Sequence, residues 1–380
     1  MSQPIFEVEN LAVAINELEA AQRRPAEGVM IEPYGPMLPF GWVEAISDVS
    51  FSIHPGEVLA VVGESGSGKT LSVMGSLGLL GVGAKTIRGT VRFDGIQIRP
   101  TKELEKKTRR RRRRRKQKPR KRERFMEESL DDDWRRVMGT EIGVLFQNAI
   151  GGWNPVEIIG DQAGEVLDEH TSLSLEDIET RVLDALGEVR LPQVSKFGSY
   201  PDELSRGQAQ RAMLAAALVK GPRLLVADEP LTGLDAGVAA AILNLIRDMQ
   251  EERRMAMIFV THDLAQVAAL ADRIAVMYGG RIVETGTVDG VFHNPQHPYT
   301  EGLLGALPRP GVDRLRPILG DVPKITEIPA AECALIPRCP YAGAECAVSL
   351  PPLVSSGAGS AACIKHDELQ LQGVGTPGTT

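Results

Sequence analysis

The run GESGSGKT, Gly63–Thr70, follows the apolar segment VLAVV and precedes a helical stretch. Its glycines let the backbone curl so that successive N–H groups point at one spot. The positive end of the following helix adds to that field, which suits phosphate oxygens. Strand, glycine-rich turn and helix start together make the P-loop pattern. Gly63, Glu64, Ser65, Gly66, Ser67 and Gly68 would form the cradle; Lys69 would reach the β- and γ-phosphates and Thr70 would ligate Mg²⁺. A second apolar run, RLLVADEP, ends on two carboxylates. Asp228 would hold Mg²⁺ and Glu229 would polarise an attacking water. His262 closes a third run, in VTHD, where an imidazole would contact a γ-phosphate. Ser205 opens a helical stretch in LSRGQAQR, and the free N–H groups there form another anion site.

These groups need elements to carry them. The short apolar runs VLAVV, RLLVADEP and MAMIFVTHD each end in polar residues, and the helical pattern GVAAAILNLIRDMQEERR separates the last two. Strands alternating with helices predict a mostly parallel sheet with ligands beyond the strands' carboxyl ends. VRFDGIQI alternates and predicts a strand turning at Asp94-Gly95.

In chain order, the P-loop, Gln147 in LFQ, LSRGQ, VADEP, GLDA and His262 resemble the nucleotide-binding subunit of an ABC transporter, over roughly residues 6–284. The resemblance implies an α/β P-loop NTPase: a RecA-like parallel sheet, an antiparallel β subdomain, a helical subdomain, and a small irregular C-terminal extension. It implies further roles for named residues. Phe40 would stack on adenine, with Trp42 as the alternative. Gln147 would sense Mg²⁺ and the transmembrane partner; Ser205, Gly207 and Gln208 would face the ATP of a second subunit. Asp235 matches the D-loop aspartate and His262 the switch histidine. The signature departs from the family's usual pair of glycines, since Arg206 occupies one of the two positions.

A narrower resemblance rests on NPQHPYTEGLLGALP, RCPYAGAEC, CIKH and GWNPV. These are similar to segments of the oligopeptide/dipeptide/nickel importer ATPases. That likeness implies ATP hydrolysis coupled to uptake of di- or oligopeptides, with nickel- or glutathione-type import as the alternative. It also implies two transmembrane permease subunits, a second ATP-binding subunit, an external solute-binding protein, and a peripheral place on the cytoplasmic membrane face. A reading from another class is a soluble ABC protein acting on nucleic acid or ribosomes.

Composition bounds the rest. With 43% hydrophobic residues the chain can build a substantial core. No apolar run approaches the roughly 20 residues that span a bilayer, and the N-terminus lacks a secretory pattern. Residues 102–124 hold sixteen Lys/Arg against three Glu in a chain of net charge −7. This strip, within an insertion expected over 101–134, reads as a solvated loop; contact with anionic lipid is the second reading. Nucleic acid is not expected, because no aromatics interleave the arginines. The expected domains are 1–284 for nucleotide binding, 285–366 for the extension, and a disordered tail over 367–380. All four cysteines, Cys333, Cys339, Cys346 and Cys363, lie in that extension without a Cys-x-x-Cys pair. Spacing leaves zinc, an iron–sulfur cluster or unligated thiols open. The family resemblance implies a 4Fe-4S cluster on the set.

Overall fold

In a computed structural model, the structure describes residues 3–16, 41–100, 133–308, 314–324, 327–328, 331–357 and 359–374. Phe40 and nearly all of the basic insertion therefore lie outside the described residues. Two sheets build the described chain. Strands β1 (Phe6–Asn16), β2 (Trp42–Ile53), β4 (Ala84–Phe93) and β5 (Ile96–Pro100) form an antiparallel sheet in the order β2-β1-β4-β5. The turn between β4 and β5 falls at Asp94 (φ 50°) and Gly95 (φ 76°), as the alternation predicts. Two positive φ angles in succession match the twist of a tight hairpin.

The second sheet runs in the order β11 (Val354–Ser356), β12 (Gly359–Ala361), β10 (Arg281–Thr287), β9 (Arg273–Tyr278), β3 (Val58–Val62), β8 (Ala256–Thr261), β7 (Leu224–Asp228), β6 (Ile142–Leu145). Its middle is parallel, from β9 through β3, β8 and β7 to β6. Every residue of β3, β7 and β8 is buried, which is why they read as continuous apolar runs rather than alternating ones.

Period-two geometry splits these strands between separate cores. Leu59 and Val61 of β3 join the P-loop helix residues Val73, Met74 and Leu77 beneath the antiparallel sheet. Ala60 and Val62 of β3 face Val291, Phe292, Tyr299 and Leu335 of the C-terminal region. Met257 and Phe259 of β8 contribute to a third core. That core includes the helices Ile159–His170 and Leu175–Glu188, the latter opened by a reciprocal Ser174–Asp177 capping box. The expected fold class is the observed one.

The chain does not leave the sheet at Thr285, and it returns to the sheet near its end. Strand β10 (Arg281–Thr287) pairs antiparallel with β9, and the hairpin β11 (Val354–Ser356)–β12 (Gly359–Ala361) pairs onto β10. The irregular turns of the extension are thus pinned at both ends of one sheet edge. The tail expectation needs correction over 367–374: Leu371 is buried, Gln372 N–H donates to Glu301 Oε1 (2.8 Å), and Val374 N–H donates to the Phe292 carbonyl (2.6 Å). Residues 375–380 lie outside the described residues. At the end of the expected insertion, Trp134 Nε1 donates to the Leu77 carbonyl (2.8 Å), where the P-loop helix stops. No described helix is long and apolar enough to cross a membrane.

Candidate active site

Strand β3 delivers the chain into the glycine-rich turn, and the helix Lys69–Leu77 leaves it. Gly68 caps that helix at φ 99°, and a Cβ there would strike Ile46 Cδ1. A Cβ on Gly63 would strike the Met277 carbonyl. Gly63 is therefore required by close approach to the neighbouring strand, and Gly68 by its left-handed backbone. The turn is held to the β9–β10 corner by Gly280 N–H donating to the Ser67 carbonyl at 3.0 Å.

Lys69 is 4% exposed and its Nζ curls back, donating to the carbonyls of Gly63 (2.8 Å) and Glu64 (3.1 Å). Burial pushes its pKa down; the nearby Glu229 and Asp228 carboxylates oppose that shift. Ser67 Oγ is buried inside the turn, and among the described residues it has no hydrogen-bond partner. A buried ammonium, an orphaned hydroxyl and a helix N-terminus fit an anionic phosphate ligand.

Strand β7 brings the acids. Asp228, 3% exposed, accepts a hydrogen bond from Thr70 Oγ1 at 2.9 Å. Burial raises its pKa, and the Thr70 hydroxyl opposes the shift. Two hard oxygen donors meeting beside a phosphate cradle fit Mg²⁺. The chain then breaks sharply: Glu229 adopts φ 44° while its N–H still donates to the Val260 carbonyl at 2.9 Å. That twist swings the Glu229 carboxylate out of the strand and into the cluster. Oε2 accepts from Thr232 Oγ1 (3.1 Å) and Gln147 Nε2 (3.3 Å), and lies 3.4 Å from His262 Nδ1. Oε1 lies 3.7 Å from Lys69 Nζ.

Lys69, Thr70, Gln147, Asp228, Glu229 and His262 thus converge, although they come from four separate places in the chain order. The signature residues stand apart. Ser205 and Gln208 satisfy each other in a capping box at the helix Arg206–Leu218. Gly207 abuts Val238, where a Cβ would come within 2.7 Å of Val238 Cγ1. Asp235 caps the helix Ala236–Arg253 by accepting from Val238 N–H at 3.0 Å. Arg206 turns back, its Nη1 donating to the Gly233 carbonyl at 3.2 Å. Ser205, Arg206 and Asp235 are exposed. Trp42, the alternative adenine partner, packs its ring under Lys85 Nζ at 4.9 Å.

Glu64 has a different role from its neighbours in the turn. Its N–H donates to Tyr299 Oη (2.8 Å), and its carboxylate pairs with Arg338. Sequence reasoning missed Tyr299, Arg338 and Thr232. The only signals were the HPYT and RCPY runs and the two residues between Glu229 and Thr232.

The four cysteines line one pocket, with His297, Pro298, Leu335 and Tyr341 among its walls. None is disulfide-bonded. Burial raises the pKa of Cys333 and Cys339, and pushes Cys363 up to about 11. Among the described residues no three His, Cys, Asp or Glu side chains are grouped to hold a metal ion. The expected ligand set is therefore gathered but does not converge on a single ion.

Comparison with known proteins gives two family matches: ABC transporter over residues 46–232, and oligopeptide/dipeptide transporter C-terminal region over residues 283–346. A peptide import ATP-binding protein of Brucella ovis is 40% identical over 333 residues, covering 82% of this chain and 88% of that one. Another, from Brucella abortus, is 37% identical over 328 residues, covering 85% and 90%. Among solved structures, cbiO1 from Clostridium perfringens, part of an ABC transporter complex, matches with TM-score 0.54 at 23% identity over 77% of this chain and 91% of that one. A dimeric ATP-binding cassette bound to ADP and Pi matches with TM-score 0.53 at 23% identity, over 74% and 98%. At that identity the structural matches establish the fold.

Proposed function

This chain belongs to the ABC transporter family and carries the oligopeptide/dipeptide transporter C-terminal region, and from that premise we propose that it hydrolyses ATP to energise import of di- or oligopeptides. The observation that carries this reading is the convergence of Lys69, Gln147, Thr232 and His262 on the Glu229 carboxylate, beside the Thr70–Asp228 pair. The peptide cargo rests on the names of the relatives and on the C-terminal match. That match also favours an importer over a soluble protein acting on nucleic acid.

Residues 63–70 would cradle the triphosphate, with Lys69 exchanging its two carbonyl partners for β- and γ-phosphate oxygens. Thr70, Asp228 and Gln147 would hold Mg²⁺, which offsets charge on the phosphates. Glu229 would accept a proton from the attacking water as it aligns for displacement. The donors already on Glu229 orient it for that task, and His262 sits where it can contact the γ-phosphate. Phe40 or Trp42 would stack on adenine.

Ser205, Gly207, Gln208 and Asp235 would complete the site of a second ATP-binding subunit. What supports this is their position on the surface with local caps and no bond to the Glu229 cluster. Two permease subunits and an external solute-binding protein would complete the importer, with this chain peripheral on the cytoplasmic membrane face. Residues 1–284 would form the nucleotide-binding unit and 285–366 the extension, even though β10 runs through both. Contact of the basic strip with anionic lipid is a further part of the proposal. For the cysteines, a 4Fe-4S cluster is preferred to zinc. What supports it is that four thiols line one pocket. Iron and acid-labile sulfide in anaerobically purified protein would support it; zinc or neither would remove it.

The central test is Glu229→Gln. The variant is expected to bind ATP as the wild type does and to lose at least ~10²-fold in turnover, the scale of a general base. Near-normal hydrolysis would overturn the assignment.

A further inference from the structure

Glu64 stands second in the glycine-rich turn, yet it is held by the far end of the chain. Three of its groups are tied. Its N–H donates to Tyr299 Oη at 2.8 Å. Its carboxylate receives both arms of the Arg338 guanidinium, Nη1 to Oε2 at 2.7 Å and Nη2 to Oε1 at 3.0 Å. Its carbonyl accepts from Lys69 Nζ at 3.1 Å. We propose that Tyr299 and Arg338 are positioning residues for nucleotide binding: the C-terminal region shapes the phosphate cradle by fixing Glu64, and through Glu64 it sets Lys69.

The holding residues are themselves buried and bonded. Tyr299 is fully buried, and its ring lies 4.6 Å from that of Tyr278, tilted by 51°. The Arg338 side chain is 3% exposed. Its Nε donates to the Leu319 carbonyl at 3.3 Å, its Nη1 to Tyr278 Oη at 3.5 Å, and its guanidinium lies 5.8 Å from the centre of the Tyr278 ring. A planar fork on a carboxylate fixes orientation as well as charge.

Two consequences follow for the ligand. The Glu64 N–H is spent on Tyr299, so the phosphate-facing amides are those later in the turn. Glu64 also places a negative charge in a cradle built for anions, and Arg338 neutralises it. Losing Arg338 both frees the turn and uncovers that charge.

The inference rests on ATP binding at residues 63–70, so the test carries a control for that reading. ATP affinity of the full chain is measured for wild type, Lys69→Ala, Arg338→Gln, Arg338→Lys, Tyr299→Phe, Glu64→Gln and the Glu64→Gln/Arg338→Gln double variant. Thermal unfolding of each confirms the fold. Arg338→Gln is expected to raise the Kd about tenfold, equivalent to about 1.4 kcal/mol. Arg338→Lys recovers only part, because a single ammonium lacks the fork. Tyr299→Phe weakens binding several-fold. The double variant is no weaker than Arg338→Gln, the non-additivity of residues acting as one unit. In the assembled transporter, Tyr299→Phe raises KM for ATP by a larger factor than it lowers kcat, a split that general loss of folded protein does not give. Should Arg338→Gln fail to fold, Tyr299→Phe and Glu64→Gln decide. Folded variants binding as wild type while Lys69→Ala loses binding would overturn the positioning role alone. Multiplicative effects in the double variant would do the same. A wild-type chain that binds no ATP would overturn both readings.

Discussion

The chain presents two segments proposed to meet phosphate, and they are built in opposite ways. The glycine-rich turn is enclosed: Lys69 is buried, Glu64 is fixed by Tyr299 and Arg338, and Thr70 is bonded to Asp228. The signature segment is open: Ser205, Arg206 and Asp235 are exposed, and each is satisfied by bonds within a few residues or by a neighbouring loop. The first arrangement buries Lys69 and Asp228, where their polar contacts are strengthened. The second keeps its helix N-terminus intact and accessible, as a surface that meets another chain must. Under the proposed function, the first half carries its own catalytic groups, whereas the second would act on the nucleotide of another subunit.

The largest expected effect tests the enclosed half. Glu229→Gln in both subunits of a pair leaves ATP bound and cuts turnover by at least ~10²-fold, measured by phosphate release. If Glu229→Gln instead abolishes nucleotide binding, the carboxylate is holding the cradle rather than the water.

The next effect concerns the segment that carries Tyr299. Glu284 is 2% exposed and accepts from the N–H groups of Gln296 (2.7 Å) and His297 (2.9 Å). Burial raises its pKa to about 7. A carboxyl raised in the folded state stabilises most below its unfolded value of 4.5, and that contribution is lost as pH rises through about 7. His297, buried beside it, is lowered to about 3 by burial, so its own contribution grows as pH rises. The difference in unfolding free energy between wild type and Glu284→Gln isolates the carboxyl. It is expected to shrink by on the order of 3 kcal/mol between pH 4.5 and 7. A difference that stays flat across that window would show that the two amide donors already hold Glu284 ionised.

How these features could be read from the sequence follows the same division. The cradle and the acidic strand end were legible because strand, turn and helix lie within one short stretch, and buried parallel strands announce themselves as unbroken apolar runs. The helix start at Ser205 was legible for the same local reason. The hold on Glu64 was not legible. Its partners Tyr299 and Arg338 lie 235 and 274 residues away, and only the folded sheet brings them together. The β11–β12 hairpin escaped for another reason. Its strands are three residues each, VSS and GSA, with little of the β-branched character that marks a strand. The order of 367–374 depends on long-range bonds to Glu301 and Phe292, so composition alone suggested a loose tail.

A smaller effect probes the open half. Arg206 takes the place of a glycine where the second subunit is expected to approach, and its guanidinium now bonds the Gly233 carbonyl. Approach of a phosphate would require either that bond to break or the side chain to step aside. The pocket receiving Arg206 is therefore expected to turn over more slowly than the one built on residues 63–70 of this chain. Arg206→Gly in the assembled transporter is expected to raise total ATP turnover a few-fold; an unchanged rate removes the asymmetry.

The smallest effect bears on what lies outside both halves. Residues 102–124 carry sixteen Lys/Arg against three Glu, a field strong enough to attract any anionic surface. Yet Trp134, one residue after the described chain resumes, is fixed by Nε1 donating to the Leu77 carbonyl at the end of the P-loop helix. That anchor secures the P-loop helix on the C-terminal side of the strip, so the strip itself is not needed to set Lys69 or Thr70. Deleting 102–124 is expected to leave the KM for ATP and the turnover of detergent-solubilised transporter unchanged. Binding of the chain to vesicles rich in anionic lipid is expected to fall, by an amount that shrinks as salt is added. Loss of hydrolysis in the deletion would mean that the strip supports the nucleotide site after all, and the division into an enclosed half and an open half would need a third member.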